Sequence, residues 1–144
     1  MAYNTNDLMR FLDAQNKLYL VALAEIKKGK KESPWMWFIF PQIKGLGSSD
    51  TSKFYEIKNA DEAMAYLEHP ILGKHLLEIT KELINTNEKS ALEILGDADA
   101  EKLKSSMTLF ANIQNTEPVF EQVINKYFGG SYDFHTIQLL YSNL

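Results

Sequence analysis

The chain of 144 residues contains no cysteine. That absence excludes thiol nucleophiles, disulfides, cysteine-ligated zinc and iron–sulfur clusters, and it suits a reducing cytoplasm. Positive charge is not in excess either. Fifteen Lys and Arg against 19 Asp and Glu leave a net charge of −4, which argues against broad electrostatic capture of nucleic acid. No apolar run approaches the roughly twenty residues that cross a bilayer, and Met1 to Asp7 lacks the basic and apolar regions of a secretion signal. A cytoplasmic protein is therefore expected. Repeats of fixed period and low-complexity stretches are missing as well, which excludes a solenoid of equal units.

What is there fits one domain over 1–144, with 45% hydrophobic and 24% charged residues. Leu8, Phe11, Leu12, Leu18, Tyr19, Ala22, Leu23 and Ile26 recur at helical spacing, with Asn6 as a cap and Gly29 among Lys27, Lys28, Lys30 and Lys31 as the stop. Gln15 interrupts that stripe. It is either a buried, hydrogen-bonded amide or a polar group facing a cleft. Further helices are expected from Asn59 or Asp61 to Leu67, from Ile71 to Ile84, and from Ser90 to Leu95 ahead of Gly96. Three more follow, after Asp97 or Asp99, after Thr116 and Pro118 as far as Gly129, and after Asp133. About seven helices with no convincing alternating strand define an all-α (mainly α) compact bundle.

One segment breaks this pattern. Ser33 to Gly47 holds both tryptophans, two phenylalanines, two prolines and two glycines. Its composition favours a strand, but a lone strand leaves its backbone donors and acceptors unpaired. Pro34 to Phe40 is accordingly read as one or two helical turns that start at Ser33-Pro34 and stop at Pro41. Trp35 and Trp37 are candidate platforms for a planar ring; equally, either can be a core residue. Gly45, Gly47 and Ser48 form a loop in which backbone N–H groups can approach an anion. Lys44 and Lys53 flank it, and Gln42 can read an amide or base edge. The alternative is a glycine-rich turn followed by a serine cap, since the loop lacks the lysine and hydroxyl ending of a phosphate-binding P-loop.

Lys102, Ser105 and Ser106 share one helix face and form a second candidate wall, or simply a place of close helix packing. His69, His75 and His135 are scattered; the first two sit six residues apart, on different sides of a helix, so no metal site is expected. No acid pair is spaced as a general acid and base, and no cofactor is expected.

Trp35 to Gln42, Gly45 to Ser48, His69 to Gly73, Lys102 to Phe110, Phe128 to Gly130 and Asp133 to Leu140 together resemble the motifs of the bacterial domain-of-unknown-function family DUF1810. The resemblance runs over almost the whole chain. It implies a compact, mainly helical single domain without an assigned activity. The label calpastatin attached to that family describes a disordered, repetitive inhibitor, which this composition is not. A more distant likeness to helical proteins of ADP-ribose and riboflavin metabolism implies a phosphorylated, nucleotide-like ligand and glycosidic chemistry. The competing reading is a non-catalytic interaction module, or a homodimer, built on the aromatic segment.

Overall fold

The computed structural model describes the backbone of residues 5–142 and the side chains of residues 7–142. Residues 1–4 and the Asn6 side chain, read above as a cap, lie outside the described residues. One 3-10 turn (Thr5–Leu8) leads into α1 (Met9–Lys28), which buries Phe11, Tyr19, Ala22, Leu23 and Ile26 along one stripe. Gly29 ends it with φ 81°, a left-handed conformation that lets its N–H close onto the carbonyls of Glu25 and Ile26. Then come α2 (Met36–Ile39), α3 (Asp50–Phe54), α4 (Ala60–Glu68), α5 (Leu72–Asn85), α6 (Ala91–Leu95), α7 (Asp97–Ala111), α8 (Val119–Phe128) and α9 (Phe134–Ser142). Among the described residues there are nine α-helices and no strand, so the class is all-α. None of the described helices is long and apolar enough to cross a membrane.

Local chemistry accounts for the boundaries. Asn59 Oδ1 accepts from the Glu62 N–H at 2.9 Å to start α4. Ser90 and Glu93 exchange hydrogen bonds of 3.1 and 2.9 Å in a capping box that starts α6. The turn between α4 and α5 is tight: a Cβ on Gly73 would lie 2.0 Å from the Leu67 carbonyl oxygen. Only glycine fits there. α5 packs against α1, α4 and α8, and α7 packs against α6, α8 and α9. A series of rings crosses the core between them, from Phe11 to Tyr66 (5.1 Å between centroids), on to Phe110 (5.6 Å) and to Phe120 (5.7 Å). Edge-to-face and tilted pairs of this kind add about 0.5–1.5 kcal/mol each beyond the area they bury.

The aromatic segment is helical but shorter than expected. α2 begins at Met36, and Ser33 does not cap it. The reason lies in α1, where Glu25 is buried and claims the donors of the incoming chain. Its Oε1 accepts from the N–H groups of Glu32 (2.7 Å) and Ser33 (2.9 Å) and from the Trp35 indole (2.8 Å), while its Oε2 accepts from the Ser33 hydroxyl at 2.6 Å. Burial alone would raise the Glu25 pKa. The hydrogen bonds outweigh it and hold the carboxyl down at about 2. After α2 the chain forms a neck, in which Lys44 N–H donates to the Ile57 carbonyl and Ile57 N–H to the Gln42 carbonyl, both at 2.8 Å. Segment 44–56 is closed off at that point.

Candidate functional site

The structure gathers Trp35, Trp37 and Lys102 into one clamp between α2 and α7. Trp35 is entirely buried. Lys31 Nζ lies 5.1 Å from the Trp35 ring centroid and 2.8 Å from Asp99, and Asp99 also takes Lys102 at 3.3 Å. Lys102 Nζ in turn lies 5.3 Å from the ring centroid of the half-buried Trp37. Cations between aromatic faces and a shared carboxylate hold the two elements together. One turn further along α7, the Ser105 hydroxyl donates to the Glu101 carbonyl at 3.1 Å and approaches Asp133 at 3.4 Å. Ser106 points inward, and its hydroxyl is buried with no hydrogen-bond partner among the described residues.

The glycine loop has packing reasons of its own. Gly45 has φ 108°, and a Cβ there would meet Leu139 of α9 at 3.2 Å. A Cβ on Gly47 would lie 2.3 Å from the Ser52 hydroxyl oxygen, so the loop closes over Ser52 only because residue 47 is bare. Ser49 Oγ caps α3 by accepting from the Ser52 N–H at 3.1 Å. Ser48 is exposed, and the half-buried Gln42 contributes its backbone to the neck.

This packing decides what faces outward. Ser52 is buried against Gly47, so Phe54, about 200° further round the same short helix, is turned to solvent and is 59% exposed. Its ring meets Tyr55 edge-on at 4.9 Å, and Tyr55 is backed by Phe38 at 5.3 Å and Phe11 at 5.9 Å. The exposed ring is thus the outer end of an aromatic series anchored in the core. Two clefts meet at it. One, of about 290 Å³, is lined by Ala14, Leu18, Phe38, Tyr55 and Phe54 with Lys17 at its edge. The other, of about 450 Å³, is lined by Lys44, Lys53, Lys58 and Glu56. Phe54 and Arg10 belong to both.

Arg10 shapes the junction more than it offers charge. Its guanidinium donates to the buried Glu62 carboxylate and to the Glu56 carbonyl, each at 2.9 Å, and to the Asp7 carbonyl. Lys58 faces Asp7 at 3.9 Å. Lys44 and Lys53 have no ion-pair partner among the described residues. Of the residues singled out from sequence, Lys44 and the flanking Lys53 therefore share a cleft, while Trp35, Trp37 and Lys102 belong to the α2–α7 clamp and Ser105 turns to Asp133. Phe54 and Tyr55 were missed. Their only sequence signal is their place in a short capped turn beside the glycine loop. Among the described residues, no three His, Asp or Glu side chains come together as a metal set.

Fold and site together define a class: a small all-α domain with a locked aromatic segment and an aromatic ledge between an apolar and a basic cleft. The model of the family described as "Protein of unknown function (DUF1810)" matches residues 5–140, and the chain belongs to that family. It is similar to the conserved hypothetical protein Rv1873 from Mycobacterium tuberculosis, whose crystal structure is known. The two are 43% identical, with a TM-score of 0.92 over 94% of this chain and 96% of that one. No curated protein matches the chain.

Proposed function

We propose that the protein binds a small phosphorylated molecule with a planar ring, nucleotide-like in class, in the two clefts that meet at Phe54. The observation that carries this reading is the exposed Phe54 ring between an apolar hollow on one side and Lys44 and Lys53 on the other. A ring laid against Phe54 gains stacking of about 1–3 kcal/mol, as bases do on aromatic side chains. Because Tyr55, Phe38 and Phe11 already hold the ledge, little side-chain freedom is lost on binding. Lys44 and Lys53 have no ion-pair partner to give up among the described residues, so their charge is open to a phosphate. Together the clefts fall within the size of ordinary ligand pockets.

The test is a thermal-shift screen with AMP, ADP-ribose, NAD and FMN, followed by calorimetry on the best of them. A ligand at 100 times its Kd adds about 2.7 kcal/mol, which for a chain of this size is a rise in Tm of about 5 °C or more. Phe54→Ala and the pair Lys44→Ala with Lys53→Ala should each abolish most of the shift, while Lys102→Ala leaves it intact. Chromatography of the same mixtures reads out cleavage of the glycosidic bond in ADP-ribose or NAD. Flat melting curves with all four ligands at millimolar concentration would defeat the proposal.

A further inference from the structure

On the other side of α1 lies a cleft of about 490 Å³ between α1 and α5, bordered by Asn16, Leu20, Ile71, Lys74, His75 and Glu78. Its inner wall is a hydrogen-bond chain that starts at Gln15, which is buried in the apolar stripe. Gln15 Nε2 donates to the Phe38 carbonyl and to the Tyr66 hydroxyl oxygen, each at 2.8 Å. A carbonyl can only accept, so the NH₂ end of the amide faces Phe38 and the oxygen end faces His75 Nδ1, 2.8 Å away. Two acceptors cannot share a hydrogen bond. Nδ1 therefore carries the proton, and in the neutral ring Nε2 holds the lone pair.

The rest of the environment keeps that ring neutral and fixed. Burial pushes the His75 pKa below its ordinary value, Lys74 helps, and Glu78 opposes. Tyr19 stacks on the imidazole with centroids 3.7 Å apart and planes 7° from parallel. Its own hydroxyl is tied to Glu78 and to the His75 carbonyl, the latter at 3.2 Å. Burial and the bond to Glu78 push the Tyr19 pKa up, so this phenol stays protonated as a donor. Nε2 has no partner among the described residues. His69 makes an internal contrast: its Nδ1 accepts from the N–H groups of Ile71 (3.1 Å) and Leu72 (3.2 Å), which requires the opposite tautomer.

We propose that this cleft is a second binding site, for a polyhydroxylated small molecule of the sugar or polyol class, one hydroxyl of which donates to His75 Nε2. The wall offers acceptors, namely the His75 Nε2 lone pair, the Glu78 carboxylate oxygen not engaged by Tyr19 and the Asn16 amide oxygen, beside donors on the Lys74 ammonium and the Asn16 NH₂ group. A wall of mixed acceptors and donors suits a ligand whose hydroxyls can both donate and accept. Leu20 and Ile71, both exposed, offer apolar edges to the C–H faces of such a ligand. Gln15, itself part of the inner wall, acts as a positioning residue by fixing the His75 tautomer.

Long-range proton–nitrogen NMR of the full chain tests the premise, and titration with D-ribose, myo-inositol and glycerol tests the site. His75 should carry its proton on Nδ1 and His69 on Nε2. At least one polyol should move the His75 Nε2 resonance along a saturating curve while His69 and His135 stay still. It should also slow carbethoxylation of His75 by diethylpyrocarbonate, about tenfold at ten times its Kd. A Gln15→Leu variant that keeps its helical spectrum should lose the tautomer preference and the polyol response together. The wild-type measurements decide the matter if that variant does not fold. A proton found on His75 Nε2, or no saturating shift and no protection with any of the three polyols, overturns the proposal. AMP binding at Phe54 is unaffected either way.

Discussion

Replacing Glu25 by glutamine keeps the shape of the side chain and removes the charge that gathers four hydrogen bonds at the start of the aromatic segment. A carboxyl held at about 2 instead of its ordinary 4.5 contributes about 3 kcal/mol to stability at neutral pH. Because the folded pKa is the lower one, that contribution is complete above 4.5 and disappears as the pH falls from there toward 2. In the variant, the amide oxygen still accepts from Glu32, Ser33 and Trp35 and the NH₂ group meets the Ser33 hydroxyl, so the charge is what is lost and residue 25 no longer titrates. Urea unfolding followed by tryptophan emission reads this directly, since both tryptophans lie in the segment that Glu25 anchors. With a slope of about 1–3 kcal/mol per molar urea, the Glu25→Gln midpoint should fall by about 1–3 M at neutral pH. Near pH 2 the wild-type and variant curves should converge to within about 1 kcal/mol. A separation that does not change with pH, or one smaller than about 1 kcal/mol at neutrality, would refute the assignment of Glu25 as the ionised anchor.

Gly47→Ala should destabilise the protein by about 2 kcal/mol through the clash with Ser52. The double variant Gly47→Ala with Ser52→Gly should recover most of it in thermal melts; no recovery would mean that residue 47 is glycine for another reason. Gly73→Ala drives a methyl into the Leu67 carbonyl and should cost at least about 3 kcal/mol, so a variant melting within a few degrees of wild type counts against the tight α4–α5 turn. Ser106→Ala removes a buried hydroxyl that has no partner among the described residues and should raise stability by about 1 kcal/mol. A clear loss instead would reveal that the hydroxyl is hydrogen-bonded after all.

Helix ends were the most legible part of the chain, because their chemistry is local. Gly29, Ser90, Gly96 and Gly129 stand at the boundaries that their side chains, or the lack of them, demand. The aromatic segment was legible only in outline. Its start depends on Glu25, which captures Ser33 across a turn of chain that no periodicity reveals. Lys44 and Lys53 could be named from their place around the glycine loop. Phe54 could not, since the outward side of a single helical turn is decided by the contact between Gly47 and Ser52. For His75 the gap is wider still: its partner Gln15 lies sixty positions away, and Gln15 showed itself only as a polar break in an apolar stripe.

The neck at Ile43 and Ile57 separates two kinds of change. Segment 44–56 leaves the helical frame and returns to it through one pair of backbone hydrogen bonds, and it carries Lys44, Lys53, Phe54 and Tyr55 out to the clefts. Lengthening a closed loop costs little, about 0.6 kcal/mol for each doubling, and none of the long helices contributes backbone to this closure. The segment is thus an exchangeable cartridge. A different charge pattern or ring can be mounted at the exposed Lys44, Lys53 and Phe54 positions, while Gly45 and Tyr55 keep the segment seated on Leu139, Phe11 and Phe38.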